Sequence, residues 1–239
     1  MLFRSDAWVE KLSGVICGRS RAEAAAAVAA ALAEGVDPES IGEAMSLAAN
    51  QLVLRDPGRT QAEAGKPVGS IHGASVGVHA SDSANAWRNI ARVSDHRNAA
   101  ASLIVGAYHT AGQTGRLRGD AYPLATDLEQ IAEKDGARLL EQAADAIKQN
   151  DQARACALVH RYGELGHPAR AAFDLLLGFA VSEDGALHAE KYYRTVTEEF
   201  GSCRAAFRWR HLAALARVTA SEHGFPAPGY QQARELLKV

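Results

Sequence analysis

The chain is 239 residues long, 47% hydrophobic and 23% charged, with a formal net charge of −2. That length holds one large domain or two small ones, and the composition is that of an ordinary globular protein with no need for disorder. A near-neutral balance, with a pI near 6.5, argues against a polyanion as the main partner, because nucleic-acid binding shows as a basic surplus.

Cys17, Cys156 and Cys203 lie far apart and form no Cys-x-x-Cys pair. Neither a disulfide framework nor a thiolate zinc site is signalled, which points to a reducing, cytoplasmic compartment. The opening Met1-Leu2-Phe3-Arg4-Ser5-Asp6 has no cationic region followed by an apolar run, and no stretch approaches a membrane span. The abrupt start, with Trp8 in a short amphipathic turn, fits a chain whose upstream domain is missing.

In chain order, Ser20-Arg21-Ala22-Glu23 is a capping box opening an alanine-rich helix to Glu34, stopped at Gly35. Asp37 caps the next helix, with Pro38 in its first position, and the pattern runs through Leu54. Residues 56–69, with Pro57, Gly58, Gly65, Pro67 and Gly69, read as a surface loop. A central helix follows from about Ser70 to Val93. Its internal Gly73 and Gly77 would each cost roughly 1 kcal/mol in a free helix, which predicts close packing or local unwinding there. Ser94 caps a helix to about Gly112, and the glycines at 112, 115 and 119 mark a boundary between an N-terminal half, 1–112, and a C-terminal half, 113–239, packed as one domain.

Beyond it, helices are predicted over 122–135 and 137–149, from a cap at Asn150 to Tyr162, from Pro168 to Val181, from Asp184 to Phe200, from a cap at Ser202 to Glu222, and after Pro228. Period-two alternation is absent throughout. The expected fold is therefore all-α, an irregular bundle of about nine to ten helices with mostly antiparallel neighbours.

Three consecutive helices carry polar stripes: Glu43, Ser46 and Asn50; then His72, Ser75, His79 and Asp82; then Asn98, Ser102 and His109. If the stripes face one another, these side chains converge in one interior. Neutral imidazoles and a carboxylate are the ligands taken by iron, manganese or zinc, so His72, His79, His109 and Glu43 form one candidate metal set. A metal-free version makes His79 a general base oriented by Asp82. Farther on, His188 and Tyr192 share a face with Thr195 as a candidate acid–base pair, and Arg204, Arg208 and His211 share another. The bland reading makes each histidine a core residue satisfied by hydroxyls and carbonyls. Glu164-Leu165-Gly166-His167 is the one Glu-x-x-His, and Pro168 places it in a turn. No Gly-x-Ser-x-Gly elbow, phosphate-cradling Gly-x-x-x-x-Gly-Lys or Gly-x-Gly-x-x-Gly after a strand is present.

His72-Gly73, His79-Ala80 and Ala86-Trp87-Arg88 resemble the histidine-rich helix of questin-oxidase-like proteins, over about twenty residues with His72 and His79 at matching positions. The resemblance implies a helical oxidase that oxidises an organic substrate in a Baeyer–Villiger-like step with reduced nicotinamide. The combined expectation is an oxidoreductase, of oxygenase or oxidase type, with a buried histidine/carboxylate site acting on a small-molecule substrate. The alternative is a helical interaction or accessory module of a larger redox protein.

Overall fold

The computed structural model describes residues 3–63, 65–73, 75–115, 117–186 and 188–238. Twelve helices and no strand lie among the described residues, where the only pairing of extended backbone is two isolated bridges, Glu63 with Lys66 and Glu183 with Pro226. The all-α class holds, and the helices number twelve rather than nine to ten. The expected opening turn at Trp8 is a full helix. No helix among the described residues is long and apolar enough to cross a membrane.

The chain divides into two compact units. The first comprises Met1–Asp56, Val76–Gly119 and Gly201–Phe207; the second comprises Pro57–Ser75, Asp120–Phe200 and Arg208–Val239. The glycine-rich stretch at 112–119 thus ends a segment of the first unit, while the loop 57–75 belongs to the second.

In the first unit, α1 is Asp6–Gly18, α2 Arg21–Ala33, α3 Pro38–Leu54, α4 Val76–Val93 and α5 His96–Ala111. Side-chain caps start four of them: Ser5, Ser20 with its reciprocal Glu23, Asp37 and Asp95. Asp95 caps α5 in place of the expected Ser94: its carboxylate accepts the Asn98 backbone N–H at 2.9 Å and the Asn98 side-chain amide at 2.9 Å. A carboxylate is the stronger acceptor, and its choice turns Asn98 outward, off the predicted inward stripe.

Helix α3 is apolar or small on nearly every face and is buried along almost its whole length, so it forms the axis of this unit. Its neighbours come close where their side chains vanish. A Cβ on Gly77 would lie 2.4 Å from the Val53 amide nitrogen, and one on Gly106 would lie 2.5 Å from the Met45 sulfur. The core around α3 includes Val9, Ile16, Val28, Met45, Leu103 and Phe207.

The second unit contains α6 (Ala125–Glu129), α7 (Gly136–Lys148), α8 (Gln152–Glu164), α9 (Ala169–Ser182), α10 (Ala189–Ser202, whose last two residues fall in the first unit), α11 (Arg208–Glu222) and α12 (Pro228–Leu237). Helix α11 is buried from His211 to Glu222 and plays the part that α3 plays in the first unit. Gly163 of α8 admits the Trp209 ring, which a Cβ would meet at 2.2 Å.

Three expected starts move. Asn150 adopts a left-handed backbone (φ 55°) and gives its side-chain amide to the Ala220 and His223 carbonyls, leaving Asp151 to cap α8. The helix expected from Ser202 begins at Arg208. The central helix begins at Val76 rather than Ser70, because Gly73 turns left-handed (φ 60°) and the His72 N–H donates to the Ser70 hydroxyl. The two glycines thus serve different ends, unwinding at 73 and close packing at 77.

Gly77→Ala is expected to destabilise the first unit by about 1–3 kcal/mol through overpacking. Gly14→Ala, on an open face of α1 with nothing within 4 Å of the added carbon, is expected to stabilise by about 0.5–1 kcal/mol. Urea denaturation of the two variants checks the opposite signs.

Candidate functional site

The close approach of α3 and α4 at Gly77 fixes the first two turns of α4, and His79 stands on them. Ser83 follows one turn later on the same face. From α5 come His109, Thr110 and the following Gln113. With Val76 and Ala80 these residues line one half-open cleft of about 390 Å³. His79 and His109 therefore do meet, at an exposed cleft within the first unit. They were expected in a dry interior; the small residues of α4 turn its other face to α3 and leave the imidazoles outside.

The cleft is shaped from behind. Gly106 has no side chain, which lets Trp87 pack against α5, and the Trp87 ring lies 5.9 Å from the His109 ring at 56°. Tyr108 meets His109 edge-on at 6.2 Å, and the Arg21 guanidinium sits 5.4 Å over the Tyr108 ring. The Thr110 hydroxyl donates to the Gly106 carbonyl at 2.9 Å. Among the described residues, the side chains of Ser83, His109 and Gln113 have no hydrogen-bond partner. These groups are free to engage a ligand, and no permanently charged side chain lines the cleft.

Glu43 is not at this cleft. Its carboxylate is buried and held by Arg204, whose backbone N–H donates to Oε1 at 2.7 Å and whose Nε donates to Oε2 at 2.8 Å. Arg204 also bonds Asp6 and the Arg4 carbonyl, both at 2.9 Å. A carboxylate with one oxygen on a guanidinium and the other on the same residue's backbone N–H is an ion-pair partner rather than a spare ligand. Asp82 is half-buried and is not among the cleft-lining residues.

His72 belongs to the second unit and lies outside any helix. Its ring is 3% exposed and stacks on Phe225 with centroids 4.3 Å apart at 20°. Burial, reinforced by the Lys66 and Arg59 cations and opposed by Asp184, pushes its pKa down to about 4. It is a neutral imidazole at any ordinary pH, and its Nδ1 has no hydrogen-bond partner. His188 and Tyr192 are buried in the same unit, with Thr195 buried on the same face of α10. Of the second predicted face, Arg204 falls in the first unit, while Arg208 and His211 start α11 in the second.

One residue of this unit was not singled out from sequence. Glu222 ends α11 and is 3% exposed, and its Oε1 has no hydrogen-bond partner. Burial first, then Glu190 and Asp184, raise its pKa well above the usual carboxylate range. An acid ending the alanine- and leucine-rich stretch after His211 was the available signal, and it reads equally well as a solvated helix end.

The residues assigned to a metal do not form a donor set. Within either unit, no three described histidine, cysteine or carboxylate groups bring ligand atoms within 4.8 Å of one another. No carboxylate is among the residues that line the cleft with His79 and His109. A nicotinamide cofactor likewise finds no glycine-rich cradle in the chain.

The His72 shift gives a signed prediction. A histidine whose folded pKa is depressed adds stability above its unfolded value of 6.5, and that stability is lost as pH falls toward about 4. Thermal melts across that window are expected to show a fall in midpoint that His72→Gln flattens; equal slopes in the two proteins would contradict the burial argument.

No family model matches the chain, and neither a curated protein nor a solved structure matches it.

Proposed function

We propose that the first unit binds a small organic molecule in the cleft between α4 and α5, and that His79 and His109 exchange protons with it from opposite sides. The observation that carries this reading is two imidazoles from different helices lining one 390 Å³ cleft, a volume in the range of small-molecule sites. His79 acts as the base that accepts a proton from the bound compound. His109, steadied by the Trp87 and Tyr108 rings, supplies the second proton-handling group, and Ser83 and Gln113 orient the ligand through their uncommitted polar atoms.

Oxidation of the bound molecule is the reaction class we assign, with two electrons and two protons passing from it to dissolved dioxygen to give hydrogen peroxide, and its support is the resemblance of residues 72–88 to questin-oxidase-like proteins. The proton transfer at His79 is the part of such a reaction that this chain's own residues carry. No step is routed through a metal or a nicotinamide.

Ring-carbon NMR signals of His79 and His109, followed against a panel of small uncharged phenols and ketones, test the reading. Binding compounds are expected to shift both signals together with the Gln113 side-chain amide, and His79→Ala and His109→Ala are each expected to weaken binding tenfold or more. Shifts that bypass these residues for every compound would overturn it.

A further inference from the structure

Resting on the reading of the cleft just given, we propose that its ligand carries a carboxylate and that Arg21 holds this group at the rim. The substrate class is then a small aryl acid, with its ring in the cleft and its acid group reaching across α5 to the start of α2.

The placement follows from two neighbouring stripes of α5. Gly112 keeps helical backbone angles (φ −72°, ψ −10°), so the register of α5 carries on to Gln113. His109 and Gln113 make the stripe that lines the cleft. Tyr108 and Gly112, one residue earlier at each position, make the stripe beside it, and Arg21 lies on that one. A Cβ on Gly112 would stand 2.4 Å from the Arg21 Nε, 2.6 Å from its Cζ and 2.7 Å from its Nη2, so the glycine is a notch in which the guanidinium rests. The same guanidinium sits 5.4 Å over the Tyr108 ring, whose edge meets the His109 ring at 6.2 Å. Gly112 and His109 are one turn apart, about 5 Å along the axis, a span that a short alkyl chain on an aromatic ring covers.

Arg21 has donors to give. Its side chain is exposed, and among the described residues no carboxylate or carbonyl takes its N–H groups. Arg4, Arg88, Arg92 and Arg204 of the same unit are each paired with a carboxylate. A ring and a glycine fix the plane of the Arg21 fork without using its donors, which leaves it preset for the two oxygens of a carboxylate. The cleft lining offers an anion no permanent cation, and the C-terminal carbonyls of α5 disfavour one at that end of the helix. Arg21 is what makes the rim attractive to an acid.

The affinities of para-hydroxyphenylpropanoate and of its neutral primary amide, read on the His79 and His109 ring-carbon signals of the full chain at low ionic strength, test the assignment. The acid is expected to bind about three- to fivefold more tightly than the amide, the worth of a well-placed exposed ion pair, and high salt should narrow the gap. Arg21→Gln should bring the acid down to the amide and leave the amide unchanged, whereas Arg21→Lys should keep part of the gap. Equal affinities in the wild type, or a preference that survives Arg21→Gln, would overturn the proposal and leave the cleft reading standing. A parallel loss of both compounds in Arg21→Gln would mark a structural role instead and would likewise overturn it. If neither compound moved the two imidazole signals of the wild type, the proposal and the reading beneath it would fall together.

Discussion

The contact between α3 and α4 at Gly77 is the constraint from which the rest of the first unit follows. The α4 backbone comes so near Val53 that any side chain at 77 would occupy the space of its amide nitrogen. Since successive helical residues turn by a fixed angle, pinning residue 77 against α3 decides where residues 79 and 83 point. Gly106 does the same for α5 by admitting Met45 and Trp87. Two glycines thus set the walls of the cleft, and the imidazoles arrive there because of backbone packing.

Buried ionisable groups are met in two ways, by pairing and by neutrality. In the first, carboxylates are matched by arginines: Glu43 by Arg204, and Glu39 by Arg88 and Arg92, with Arg88 only 2% exposed. Gly42 makes room for the Arg88 side chain, which a Cβ would meet at 2.9 Å. Such pairs hold register, because removing one partner leaves the other buried and uncompensated. In the second, His72 and Glu222 meet burial by staying neutral. Neutrality costs less than an unpaired charge, but it ties the local structure to pH in a way that an arginine pair does not.

Much of the fold was legible in the sequence. Capping residues at Ser20 and Asp37, breaks at Gly35 and Asp56-Pro57-Gly58, and the lack of period-two alternation gave the helical class and most boundaries. Two of the misplaced starts share one cause: where two polar residues adjoin, as in Ser94-Asp95 and Asn150-Asp151, local pattern does not say which will cap and which will bond elsewhere. The site was legible only in part. His79 and His109 could be paired from their stripes. Their exposure could not, because small residues on one face of α4 make either face a candidate for burial. Glu43 misled for a different reason: its partner Arg204 lies 161 residues away along the chain, a pairing no periodicity reveals. His72 fell off the stripe because Gly73 took the left-handed conformation open to it.

The central claim is that His79 and His109 act on one and the same bound molecule. A double-mutant cycle on ligand affinity tests this most directly, using the tightest compound found for the cleft. Two residues holding one ligand in a shared geometry should be coupled, so that losing both weakens binding measurably less, or more, than the product of the single losses. Strict additivity of the two substitutions would contradict the account.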